Sequence, residues 1–157
     1  MARKFIEKFS ENGVRDTYDI HGYLCHEYHE LRIKDKKGNG WASSENFSDL
    51  LYRLGEKIGV SSYSKKGIGE YHTCIPDVLV TIYSSDNELS RDECTEAVVE
   101  QMFGCIHSIG KNFGWSEWTI GGCDLETLEV GGHDILRELE SHVGKYIHFI
   151  IKKGFSK

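Results

Sequence analysis

Residues 90–114 read SRDECTEAVVEQMFGCIHSIGKNFG, and the secondary structure of this stretch decides the fold. Ser90 and Glu93 have the spacing of a capping box, in which each side chain satisfies a backbone N–H at a helix start. Leu89 and Cys94 are placed for a hydrophobic staple. Cys94, Val98, Met102, Cys105, Ile109 and Phe113 then recur every three or four residues, which is the period of an amphipathic helix. Gly114 suits the end of that helix, and Lys111 suits the negative end of its dipole. The spacing predicts a long helix.

Outward from that helix, residues 71–85 precede it as a strand. Val78, Val80 and Ile82 point one way, and Leu79, Thr81 and Tyr83 the other; Pro76 sits near the start, where its missing N–H is tolerated. Residues 115–120 and 123–130 follow as a hairpin about Gly121-Gly122. The second arm also fits a helical turn through Leu125 and Leu128. Residues 134–143 predict a short helix with Ile135, Leu136, Leu139 and Val143 inward. Residues 146–151, YIHFII, close the unit as a strand. Strand, helix, strand, strand, helix, strand is the split β-α-β order, so 77–153 predict a ferredoxin-like α+β core.

The first part of the chain reads as an extension of that core. Phe5, Ile6 and Phe9 fall at helical spacing. Residues 23–34 alternate as a strand with two mixed faces, followed by the turn DKKGNG over 35–40. Phe47, Leu50, Leu51, Leu54 and Ile58 form one stripe, predicting a helix over 46–59 with Asn46 or Ser44 as cap and Gly59 as terminator. Burying that stripe contributes roughly 1.5–3 kcal/mol per large side chain before entropy. The expectation is one α+β domain over 1–157, with 1–70 as an N-terminal strand-helix extension that covers or widens the sheet.

Composition narrows the classes of function. The chain has 157 residues, enough for a core without disulfides or metals. Its formal net charge is −6, which argues against a generic nucleic-acid footprint and suits docking on a basic partner. The longest apolar runs are too short for a membrane-spanning helix, and the stretch MARKFIEKFS, without a long apolar run, is not expected to act as a signal peptide. Five dispersed cysteines without a CxxC pair fit a reducing, cytoplasmic setting. In its Lys/Glu/Tyr-rich, proline-poor style the chain resembles small accessory proteins of large phages, a resemblance of composition that assigns no site residue.

Four groups of residues are candidates for function. Cys25, Glu27 and His29 share one strand face at metal-ligand spacing, although HEYHE has one residue too few between Glu and the second His for a zincin helix. His72 and His148, with Glu27 and His29, are the candidates for acid-base cleavage of a nucleotide or phosphodiester. Neither His72-Thr73-Cys74 nor His148-Phe149-Ile150 matches the H-x-T or H-x-S tripeptide of two-histidine phosphoesterases. Lys65, Lys66 and Gly67, in the loop SSYSKKGIG over 61–69, offer charge and free N–H groups to an anion, without the spacing of a P-loop. Thr81, Tyr83, Tyr146 and His148, with Trp115 and Trp118 nearby, make an aromatic face suited to a macromolecular partner.

The reading that follows is a non-enzymatic interaction protein, an inhibitor or adaptor. It needs no cofactor or metal, and its expected partner is a protein; a homo-oligomer is also compatible. A small histidine-dependent hydrolase or phosphoesterase is the alternative.

Overall fold

The computed structural model describes residues 5–11, 14–27, 30–35, 44–64, 69–112 and 123–153. Strands β1 (Ile6–Glu11), β2 (Val14–Glu27), β3 (Glu30–Lys34) and β4 (Ser44–Asn46) precede helix α1 (Phe47–Ile58). Then come β5 (Val60–Ser64), β6 (Glu70–Ser85), a single 3-10 turn (Arg91–Glu93) and β7 (Ala97–Asn112). β8 (Cys123–Val130), β9 (His133–Asp134), the five-residue helix α2 (Leu136–Glu140) and β10 (Tyr146–Lys153) complete the described chain. All ten strands belong to one sheet in the order β4-β3-β2-β10-β6-β7-β8-β9, with β1 on β2 and β5 on β6. Every pairing is antiparallel.

The ferredoxin-like expectation is therefore wrong, and residues 97–112 are the reason. They form a 16-residue strand, not a helix. Ile106, Ser108 and Gly110 are buried alternately, with His107 exposed between them, so the working period is two. The apolar positions that suggested a helix come from both faces of this strand. Val98, Val99, Ile106 and Ile109 are β-branched, and two interior glycines each cost a helix about 1 kcal/mol. Gly104 has a structural use in the strand. It lies at φ +149°, and a Cβ there would come within 2.5 Å of the Gly131 Cα, where the chain turns from β8 to β9. The start signal at Ser90 is real but short-lived. The Glu93 carboxylate accepts from the Ser90 N–H at 2.9 Å, yet the turn ends at Cys94, whose backbone is extended.

The same substitution of strand for helix occurs at the N-terminus, where Ile6–Glu11 pairs with β2. Residues 23–34 are a hairpin, β2 and β3, not one strand. The first arm of the hairpin expected over 115–130 lies outside the described residues, and the second arm is the strand β8. Residues 61–64, expected as loop, pair with β6. Nor are residues 1–70 an extension: β2 runs through the middle of the sheet, bonded to β10 along one edge and to β1 and β3 along the other.

Helix α1 forms where the spacing predicts it. Asn46 caps it by accepting from the Asp49 N–H at 3.0 Å, and the Asn46 amide donates to the buried Glu30 carboxylate at 3.0 Å, which ties the helix start to β3. Its stripe of Phe47, Leu50, Leu51 and Leu54 is fully or almost fully buried. It packs on the sheet face formed by Ile20, Val78, Val80, Ile82, Ile147, Phe149 and Ile151. Phe47 and Phe149 meet with ring centroids 5.7 Å apart. The helix contacts β3 and β4 toward one end of the sheet and β7 and β8 toward the other, and β3 touches β8. The sheet is therefore curled around α1. The register shifts between β6 and β7 supply bending, since each bulge increases local twist. Among the described residues no helix is long and apolar enough to cross a membrane.

Candidate functional site

With α1 inside the curl, the other face of β2, β10 and β6 looks outward. Alternation places Asp19, His21 and Tyr23 of β2 there. Register sets Ile150 beside Asp19, His148 beside His21 and Tyr146 beside Tyr23. On the other flank His148 lies opposite Tyr83, and Ile150 opposite Thr81. Seven polar-tipped side chains thus line a surface that a core strand would leave apolar.

The link from β6 to β7, residues 86–96, folds down over this surface as a strap. The Tyr23 hydroxyl accepts from the Glu88 N–H at 3.0 Å. His148 Nε2 lies 2.6 Å from the Leu89 carbonyl oxygen, and Nδ1 lies 2.7 Å from Asp19 Oδ2. Arg91 Nη1 donates to Asp19 Oδ2 at 2.9 Å and to Glu7 Oε1 at 2.8 Å, and its guanidinium stacks over the Phe9 ring at 3.6 Å. Beside the strap an open cleft of about 590 Å³ remains. His21, Tyr146 and His148 line it with Leu89, Ser90 and Arg91, and the carboxylates of Glu7, Glu88, Asp92 and Glu93 complete its wall.

The electrostatics follow from this wiring. Both ring nitrogens of His148 face acceptors, a carboxylate and a carbonyl, and neither acceptor has a proton to give. Only the doubly protonated imidazolium satisfies both. Burial works against that charge, but the Asp19 carboxylate and the Leu89 carbonyl outweigh it and raise the His148 pKa. Asp19 is completely buried and holds two cations on one oxygen. Its other oxygen, Oδ1, is buried without a partner among the described residues. Arg91 holds the Glu7 carboxyl below the usual range. Burial first, then the neighbouring Glu88 and Asp19 carboxylates, push the Tyr146 hydroxyl pKa upward. Two anions and two cations balance within the network, and the remaining carboxylates make the cleft negative.

Stability inherits a pH dependence from this arrangement. An ordinary histidine titrates near 6.5, and folding raises the value for His148. Its contribution is complete below the unfolded value and is lost as pH rises through the higher folded one. Glu7 acts in the opposite sense: its contribution is present above the ordinary carboxylate range and lost as pH falls through the lowered value. Urea midpoints measured in pH steps are expected to fall as pH rises from about 6.5. In His148→Asn that alkaline decline is expected to disappear.

Glu7, Asp19 and His21 also bring one ligand atom each within 4.8 Å of one another, the spacing of a metal site. The Arg91 guanidinium already bridges Glu7 and Asp19 and supplies the positive charge a cation would bring. The group is an ion-pair network centred on arginine.

The residues singled out from the sequence fare unevenly. Tyr83, Tyr146 and His148 come together on one face, with Thr81 one pair further along β6. Tyr146 and His148 are buried beneath the strap, whereas Thr81 and Tyr83 are half-buried. Trp115 and Trp118 lie outside the described residues, as do His29, Lys65, Lys66 and Gly67. Of the expected metal set, Cys25 is buried on β2 opposite Arg32, and Glu27 is paired with Glu30 in the backbone register. His72 shares a hydrogen bond with Glu70 at 3.0 Å. It lies eleven residues before Tyr83 on β6, roughly 35 Å of strand. His72 and His148 therefore do not face one reacting group.

The histidine that does meet His148 is His21, stacked at 5.5 Å between centroids, with its Nδ1 sharing a 2.9 Å hydrogen bond with the Tyr146 hydroxyl. Sequence reasoning missed Asp19, His21, Glu7 and Arg91. The alternation of Thr17, Asp19, His21 and Tyr23 was the available signal for the β2 pair. No protein-family model, curated protein or solved structure matches the chain.

Proposed function

We propose that the chain is a protein-recognition module, an inhibitor or adaptor in kind, that takes a basic side chain of a partner protein into the cleft beside the 86–96 strap. The observation that carries this reading is the lining of the cleft: Glu7, Glu88, Asp92 and Glu93 stand around it with Tyr146 and His21, and the positive groups there, Arg91 and His148, are already paired with Glu7 and Asp19. Carboxylates with aromatic faces are the chemistry of cation recognition, since both the charges and the ring faces attract a guanidinium or ammonium group. The same wall repels phosphate. The cleft is open, so an arginine or lysine projecting from a folded partner or peptide can enter it. The formal charge of −6 adds long-range steering toward a basic surface. His148 supports the reading because its two nitrogens are committed to Asp19 and Leu89, which leaves no lone pair to take a proton from a substrate.

Binding of a fluorescein-labelled peptide rich in arginine and lysine, measured by anisotropy, tests the proposal against an aspartate- and glutamate-rich counterpart. The basic peptide is expected to bind, and binding is expected to weaken as salt rises. The double variant Glu88→Gln, Asp92→Asn removes two exposed charges outside the buried network and is expected to weaken binding about tenfold, as loss of roughly 1.4 kcal/mol would. Equal binding of both peptides, or unchanged binding by the variant, would count against the cleft.

A further inference from the structure

The outward side of the β6–β7 pair carries a second site, unrelated to the cleft. Cys74 on β6 and Cys105 on β7 place their sulfur atoms 2.8 Å apart. Their positions explain the meeting. Cys74 is registered opposite His107, two residues beyond Cys105, so the two cysteines form a diagonal cross-strand pair. The ladder breaks beside them: Ile75 pairs with Ile106, and the next pair is Val78 with Gly104. Pro76 and Asp77 bulge out of register there, with Asp77 at φ +54°. The bulge turns β6 toward Cys105. Ile75 and Ile106 face the core, so the thiols lie on the opposite side, and both are part-exposed.

We propose that Cys74 and Cys105 form an oxidisable dithiol, a modification site that closes to an intramolecular disulfide on reaction with a low-molecular-weight disulfide such as oxidised glutathione. The Cys74 thiolate attacks one glutathione sulfur, the glutathione S–S bond breaks, and one glutathione thiolate leaves. Cys105 loses its proton to solvent and attacks the Cys74 sulfur, releasing the second glutathione. Two protein thiols are oxidised, and one glutathione disulfide is reduced to two thiols. Burial, and then the sulfur of Cys74, push the Cys105 thiol upward. The new bond would join β6 to β7 next to the bulge.

The test treats the full chain with oxidised glutathione at neutral pH, blocks remaining thiols with iodoacetamide without denaturation, and maps the peptides by mass. A cross-linked Cys74–Cys105 peptide, lighter by two hydrogens and released by dithiothreitol, is expected. In Cys105→Ser the reaction is expected to stop at a glutathione adduct on Cys74, and in Cys74→Ser the cross-link is expected to vanish. Separate alkylation of Cys74 and Cys105 in the wild-type chain after oxidation would overturn the proposal. So would a dominant cross-link involving Cys25, Cys94 or Cys123. Either result is read from the wild-type protein and does not depend on the variants folding.

Discussion

Asp19→Ala is expected to destabilise the fold by about 3–5 kcal/mol, the cost of leaving a buried charge without its partner. Asp19 is completely buried in the middle of the sheet and accepts from His148 and Arg91 on the same oxygen. Without it the imidazolium of His148 loses one of its two acceptors and must shed its proton. The Arg91 guanidinium keeps only Glu7. Arg91→Ala is expected to cost less, because that side chain is a quarter exposed and water can replace part of the interaction. Urea denaturation at neutral pH measures both. The double variant Asp19→Leu, His148→Leu is expected to recover much of the loss, since a buried ion pair replaced by apolar groups of similar volume is often near neutral. A double-mutant cycle then reads the coupling between the two residues directly. If Asp19→Ala were no worse than an ordinary surface substitution, the network would not hold the strap to the sheet.

Phe47→Ala is the second large effect, expected at about 3–5 kcal/mol. Phe47 is completely buried at the first turn of α1 and meets Phe149 of β10. The helix fills the concavity of a sheet whose two ends curl around it, so the surrounding strands have little freedom to collapse into the space left. Tyr52, on the same helix but half-buried and edge-on to Tyr71, supplies the comparison. Tyr52→Ala is expected to lose less, and the difference in urea midpoint measures how far the core depends on this one helix. Equal losses at the two positions would mean that the helix is not packed as described.

The helix stripe was legible because it is local: Asn46, Phe47, Leu50, Leu51 and Leu54 are read from one turn to the next. The strand read at 146–151 was legible too, since Tyr146, Ile147, Phe149, Ile150 and Ile151 around His148 leave little room for a helix of ordinary amphipathic kind. Residues 97–112 were misread because a strand buried at some positions on both faces can imitate a 3.6-residue period. Val98, Met102, Cys105 and Ile109 do so here, and an authentic start signal at Ser90 and Glu93 strengthened the imitation. Gly104 and Gly110 carried the opposing message, but the contact that makes Gly104 necessary is with Gly131, far along the chain. The site was half legible for a related reason. Tyr83, Tyr146 and His148 follow from alternation within single strands. Asp19 and Arg91 join them only through the sheet register and the fold of the strap, which no local pattern encodes.

The protonation state of His148 tests most directly whether this face is a binding surface held by a fixed ion pair. Two-dimensional NMR of the ¹⁵N-labelled imidazole rings, followed from acid to alkaline pH, reads it nitrogen by nitrogen. The expected result is a His148 ring protonated on both nitrogens at neutral pH, with a pKa above the ordinary value of about 6.5 and a return toward that value in Asp19→Asn. A His148 ring that is neutral at pH 7, with one nitrogen free to accept a proton, would contradict the account and give this face the means for acid-base catalysis.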